Sequence, residues 1–86
     1  MPELARFYGI TVVMFYDDHP PPHFHVNYAE HFAKIDIESG EVLDGTLPRT
    51  ALRLVEEWRK LRQHELAQVW VDVRAGKRPV KIRGLD

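Results

Sequence analysis

The sequence predicts an α+β domain: a small antiparallel sheet of three to four strands in meander order, followed by two helices packed on one sheet face. Two patterns predict it. Short β-branched or alternating segments separated by turn residues occupy about residues 6–46. An apolar stripe at three- and four-residue spacing then runs from Leu47-Pro48 towards Gly76.

Gly9–Tyr16 is rich in β-branched and aromatic residues and apolar on nearly both phases, the pattern of a central strand. Asp17-Asp-His-Pro-Pro-Pro22 cannot continue it, because three prolines remove three N–H donors and fix φ. The segment is a stiff, extended loop, with His19 held away from helical angles by Pro20. His23–Tyr28 alternates, with Phe24, Val26 and Tyr28 on one face and His23, His25 and Asn27 on the other. Phe32–Glu38 alternates as well, with Ala33, Ile35 and Ile37 apolar. A hairpin turning at Ala29-Glu30 pairs Phe24 with Ile35 and Val26 with Ala33, and so sets His23 opposite Asp36 and His25 opposite Lys34. Ala29-Glu30 is a poor two-residue turn, and a four-residue loop gives the same register. Glu38-Ser-Gly-Glu41 is a stronger turn signal, leading to a short strand around Val42-Leu43.

Pro48 suits the first turn of a helix, with Thr46 or Leu47 near the cap. Ala51, Leu54, Val55, Trp58 and Leu61 form its stripe, which places the helix at about 48–62. The five-residue step to Leu66 rotates the stripe, so a second helix at about 64–75 begins near Gln63-His64; one bent helix is the alternative. Ala75-Gly76 ends it, and residues 77–86 form a basic extended tail. The helices are expected to cover the Phe24, Val26, Ala33 and Ile35 face, which turns the histidine face outward. Trp58 and Trp70 sit on the stripes and read as core.

At 86 residues, with 44% hydrophobic residues, the chain is expected to be one domain, 1–86. The absence of cysteine excludes disulfides, thiolate metal sites and a cysteine nucleophile. No apolar run approaches a membrane span, and Met1–Pro22 lacks a basic region followed by an apolar one, so a soluble cytoplasmic protein with no membrane partner is expected. The net charge of −1 conceals a split, from −6 over Met1–Pro48 to +5 over Arg49–Asp86. The two halves either attract one another when packed or present a basic face to an anionic partner. Arg53–Glu57 and Glu56–Lys60 are spaced as i,i+4 helix pairs. Arg78, Lys81 and Arg83 in the tail lack a nearby acid before Asp86 and are the candidate phosphate contacts, with RNA as the partner they suit; a solvated tail is the plainer reading.

Four of the five histidines lie within thirteen residues: His19, His23, His25 and His31. His23 and His25 share one strand face, and with His19 they form a candidate ligand set for zinc or another divalent ion, to which Asp17, Asp18 or Asp36 can add oxygen. A second chemistry is acid–base cleavage of RNA by His23 and His25, with Asp36 orienting one ring and Lys34 or a helix arginine holding phosphate. Histidines beside prolines and aromatics also serve as half-buried packing groups, and whether the domain is an enzyme is left open.

Arg6-Phe-Tyr-Gly-Ile10, Asp18-His-Pro-Pro-Pro-His-Phe-His25, Ile35-Asp-Ile37, Gly45-Thr-Leu-Pro48 and Glu57-Trp58 resemble the small prokaryotic domain family DUF4160, over about Pro2 to Ile82. The run from His19 to His25 is its most specific part, here with one extra proline. The resemblance assigns no activity and no residue roles. It implies a short cytoplasmic protein that acts with a small partner, often of the DUF2442 type, in a toxin–antitoxin-like pair. The leading functional expectation is therefore an interaction module whose histidine strand and adjoining loop meet that partner. RNA cleavage and His-based metal binding are the alternatives.

Overall fold

The computed structural model describes residues 2–86. The meander has five strands rather than three to four: β1 (Glu3–Phe7), β2 (Ile10–Val13), β3 (His23–Tyr28), β4 (His31–Asp36) and β5 (Val42–Thr46), all antiparallel in sequence order. The unforeseen strand is β1. Its five residues include Glu3 and Arg6, so local propensity is weak, and it is fixed by the turn that follows. Tyr8 and Gly9 both have positive φ (49° and 78°), the geometry that folds a two-residue hairpin back with the correct twist. Leu4, Ala5 and Phe7 are thereby buried.

β2 stops at Val13 rather than Tyr16, because the chain turns away into the proline loop, where the Phe15 amide donates to the Asp18 carboxylate at 3.3 Å. The β3–β4 hairpin has the expected register: His23 faces Asp36, Phe24 faces Ile35, His25 faces Lys34 and Val26 faces Ala33. Its loop is the two-residue Ala29-Glu30 turn after all, with Ala29 at φ 52°. Beyond β4, the Asp36 carboxylate accepts the Glu38 and Ser39 amides at 2.9 and 2.8 Å, tying the turn into β5. Within β5, Gly45 has φ 77°, and a Cβ there would collide with the Phe32 carbonyl.

Two helices follow, α1 (Arg49–Leu61) and α2 (Gln63–Arg74). Pro48 is the cap of α1 rather than its first turn, and no side chain caps either helix. The break is Arg62, at φ −110°, and neither Gln63 nor His64 caps α2. Arg62 still receives and makes helical hydrogen bonds, its N–H donating to Trp58 O and its carbonyl accepting from Leu66 N, both at 2.9 Å. Helical hydrogen bonding therefore continues through the break, and the apolar stripes of both helices join one core.

The core lies between the helices and the sheet face carrying Phe24, Val26, Ala33 and Ile35, as the alternation required. Trp58 is its centre, with Phe7 at 5.4 Å and Phe24 at 5.8 Å between ring centroids. Arg59 is buried beside it. Its guanidinium donates to the carbonyls of Ile37 and Glu38, to Gln63 and to Glu56, fastening α1 to the end of β4. Of the expected helix pairs, Glu56–Lys60 is present at 3.9 Å, whereas Arg53–Glu57 is not formed among the described residues.

The basic tail is extended but docked along β1. Ile82 is buried and its amide donates to Leu4 O at 2.7 Å, while Arg83 O accepts the Trp58 indole N–H at 2.8 Å. Backbone anchoring thus accounts for the tail's path. Among the described residues, no helix is long and apolar enough to cross a membrane.

Candidate metal centre

The proline loop returns the chain over the start of β3. Ile37 N donates to Pro22 O at 3.0 Å, which joins the loop end to the segment beyond β4. On the far side, Arg74 at the end of α2 donates to the Asp18 carbonyl. Asp18 is therefore carried between β3 and α2, while its neighbour His19 is exposed on the loop.

The expectation of an outward histidine face does not hold for His23 and His25. Both rings are buried, because side chains from three directions close over that end of the sheet. Phe15 packs edge-on against His25 at 4.5 Å, and Phe32 stacks on it at 5.8 Å. Trp70 of α2 lies 5.4 Å from the His23 ring, and the two imidazoles are 5.1 Å apart. Lys34 and Asn27 retain solvent contact on this face.

Asp18, His23 and His25 each offer one ligand atom, and these atoms lie within 4.8 Å of one another. The Asp18 Oδ2 is 3.4 Å from His23 Nε2 and 3.1 Å from His25 Nε2. Ligands about 2.0–2.1 Å from a tetrahedral zinc ion are about 3.3 Å apart, so both separations suit a shared ion.

The His23 tautomer is fixed by its other nitrogen. A carbonyl can only accept, so the 2.7 Å contact between His23 Nδ1 and Pro21 O places a proton on Nδ1. In the neutral ring, Nε2 is then a lone pair aimed at a carboxylate. It is buried and has no hydrogen-bond partner. An imidazole that donates one N–H to a backbone carbonyl and points the other nitrogen at an acid is the arrangement that orients a metal-bound histidine.

The same logic puts the His25 proton on Nε2, which donates to the Asp18 carboxylate at 3.1 Å, so an ion bound there replaces that proton. Burial holds its proton affinity below that of an ordinary imidazole, more than the hydrogen bond and charge of Asp18 raise it; the positive Lys34 adds a smaller downward contribution. The neutral ring that metal binding needs is thus favoured. Its Nδ1, however, is buried without a partner, and an ion at Nε2 leaves that atom as it is.

The other candidates lie elsewhere. Asp36 is opposite His23 in register, but its carboxylate serves the β4–β5 turn, and Asp18 takes the place beside the imidazoles. Asp17 is exposed and not in the ligand group. Arg78 and Lys81 line a cleft with Tyr16 and Glu3, on which Lys81 makes a 3.8 Å ion pair. Arg83 is exposed, and its carbonyl also accepts from Arg62 at 3.2 Å. Trp70, Phe15 and Arg74 complete the histidine site without having been singled out for it; Trp70 was legible only as core, which it also is.

The family model described as "Domain of unknown function (DUF4160)" matches residues 9–71, a shorter span than the likeness read from the motifs. It includes Asp18, His23, His25 and Trp70 and stops before Arg74 and the tail. No curated protein and no solved structure gives a match. With most of its length, and all three potential ligands, inside that match, the chain belongs to the DUF4160 family.

Proposed function

We propose that this protein binds one divalent metal ion, zinc or a neighbouring first-row ion, through His23 Nε2, His25 Nε2 and the Asp18 carboxylate. The observation that carries this reading is His23: its Nε2 lone pair is buried, unpartnered and 3.4 Å from a carboxylate oxygen. Two electron-rich atoms at that separation repel unless a cation lies between them. A proton on Nε2 supplies one kind of cation, but it places a charged ring in a site walled by Trp70 and His25, at a desolvation cost. Most buried side-chain polar atoms have a hydrogen-bond partner, and His23 Nε2 has none. His19, proposed from the motif as a third nitrogen ligand, is replaced in this reading by Asp18.

Protein purified without an affinity tag and equilibrated with zinc should retain about one ion per chain after dialysis. Asp18→Asn combined with His25→Leu should abolish retention while circular dichroism still reports the fold. A wild-type protein that returns metal-free, with a melting temperature unmoved by zinc, would end the proposal.

Acid–base cleavage of RNA by His23 and His25 receives less support, since the Asp36 carboxylate expected to orient a ring serves the turn after β4 and the His23 side chain is only 3% exposed. Partner binding, including a DUF2442-type partner in a toxin–antitoxin-like pair, has one favouring observation. β1 is overlain by the tail, whereas β5 presents an exposed outer edge that another strand can join. Co-expression with the small protein encoded beside it should yield a co-purifying complex, and a partner-free preparation counts against this second reading.

A further inference from the structure

We infer that the ion held by Asp18, His23 and His25 keeps an open coordination position, and that this position takes a phosphoryl oxyanion flanked by Lys34 and Arg74. The inference rests on the metal reading above and goes beyond it by assigning the exogenous ligand.

Among the described residues the ligand group contains three members, not four. Structural zinc sites close the tetrahedron with four protein ligands, whereas sites that exchange ligands use three and leave the fourth position to solvent or substrate. The burial gradient shows which side is open. The His23 side chain is 3% exposed, that of His25 11% and that of Asp18 16%, so solvent reaches the group from the Asp18 and His25 side.

Two cations are linked to the residues of that side, Lys34 through its pairing with His25 and Arg74 through the Asp18 carbonyl. Lys34 is directly opposite His25 across the β3–β4 pair, so both side chains share a sheet face. Arg74 donates to the carbonyl of Asp18 itself, with its guanidinium carbon 5.6 Å from the Trp70 ring centroid. Among the described residues neither Lys34 nor Arg74 is within ion-pairing distance of a carboxylate, although Glu3, Glu56 and Glu65 all take up basic partners elsewhere. A divalent ion with one carboxylate and two neutral imidazoles retains a positive charge. With Lys34 and Arg74 the rim carries three positive charges, which suits the dianion of phosphate or of a phosphate monoester better than a monocarboxylate.

The test uses the full chain loaded with Co(II), whose visible absorption reports its ligands. Inorganic phosphate and phenyl phosphate are titrated separately, to distinguish free phosphate from a monoester. Saturable spectral change with at least one of them is expected. Lys34→Gln should weaken that response by at least about fivefold while cobalt affinity changes by less than about threefold, the difference between losing a charge-assisted contact and losing a metal ligand. Arg74→Gln should weaken it similarly, but Lys34 carries the decision because Arg74 also supports the Asp18 loop. Cobalt bound with a spectrum indifferent to both anions would overturn the inference and leave the ion site standing. Phosphate binding unchanged in Lys34→Gln, or phosphate merely stripping cobalt from the protein, would overturn it as well. A chain that takes up no cobalt removes both readings together.

Discussion

Replacing His23 by leucine should stabilise the ion-free protein and destabilise the ion-loaded one. In the absence of an ion the substitution removes a buried acceptor without a partner, whose burial costs about 1–3 kcal/mol. It also forfeits the hydrogen bond from His23 Nδ1 to Pro21 O, worth about 1 kcal/mol, although Pro21 is exposed enough for water to take the donor's place. The net effect is about 0–2 kcal/mol in favour of leucine, which is close enough to histidine in volume to avoid gross overpacking beside Trp70. With zinc at a hundred times the wild-type dissociation constant, the wild type gains about 2.7 kcal/mol and the variant almost nothing. The order of stability then reverses, with the wild type ahead by about 1–3 kcal/mol. For a domain of this size each kcal/mol moves the melting temperature by about 4–8 °C, so thermal unfolding followed by circular dichroism, once in chelator and once in zinc, resolves the crossing. If His23→Leu is the less stable protein under both conditions, His23 is a packing histidine and the reasoning fails.

Other outcomes follow from the scaffold. Arg59→Met should lower stability in urea unfolding by about 1–3 kcal/mol, because the buried Ile37 carbonyl loses its donor; an unchanged midpoint would mean that the clamp is dispensable. The Arg59 guanidinium bonded to Glu56 holds that carboxyl below its ordinary value. Its contribution is therefore complete above the unfolded carboxyl pKa of about 4.3 and is lost as the pH falls through the lower folded value. Glu56→Gln should cost under about 1 kcal/mol at pH 7, since Glu56 is partly exposed, and the two proteins should converge below about pH 4; a constant gap across that window would refute the assignment. Gly45→Ala should be more damaging than Gly76→Ala: both have positive φ, but only the Gly45 Cβ meets backbone, at the Phe32 carbonyl, adding to a strain of about 1–3 kcal/mol. Equal melting temperatures for the two variants would contradict this ordering.

The hairpin register was legible because a one-residue slip would have set Phe24 and Val26 opposite Asp36 and Lys34, mixing the two faces. The helix break was legible from the rotated stripe between Leu61 and Leu66. The first strand was not, because Glu3–Phe7 is held by a turn in which a tyrosine adopts a positive φ, and composition gives no warning of that. The burial of the histidine face was also illegible. It depends on where the proline loop and the last turn of α2 travel, and neither path has a periodicity to read. Asp18 was one of three equivalent acids for the same reason: within Asp17-Asp18-His19, only the loop path decides which side chain turns inward. Arg59 was readable in principle. It lies four residues beyond Val55 on the apolar stripe, and an arginine at such a position signals a buried clamp.

The central claim is that His23, His25 and Asp18 share one ion. Anomalous diffraction at the zinc edge, on crystals grown with stoichiometric zinc and no affinity tag, tests it most directly. A single strong peak about 2.0–2.1 Å from His23 Nε2, His25 Nε2 and an Asp18 carboxylate oxygen is the predicted result. A map with no peak there, or with zinc only on exposed side chains such as His19 and His64, would contradict it.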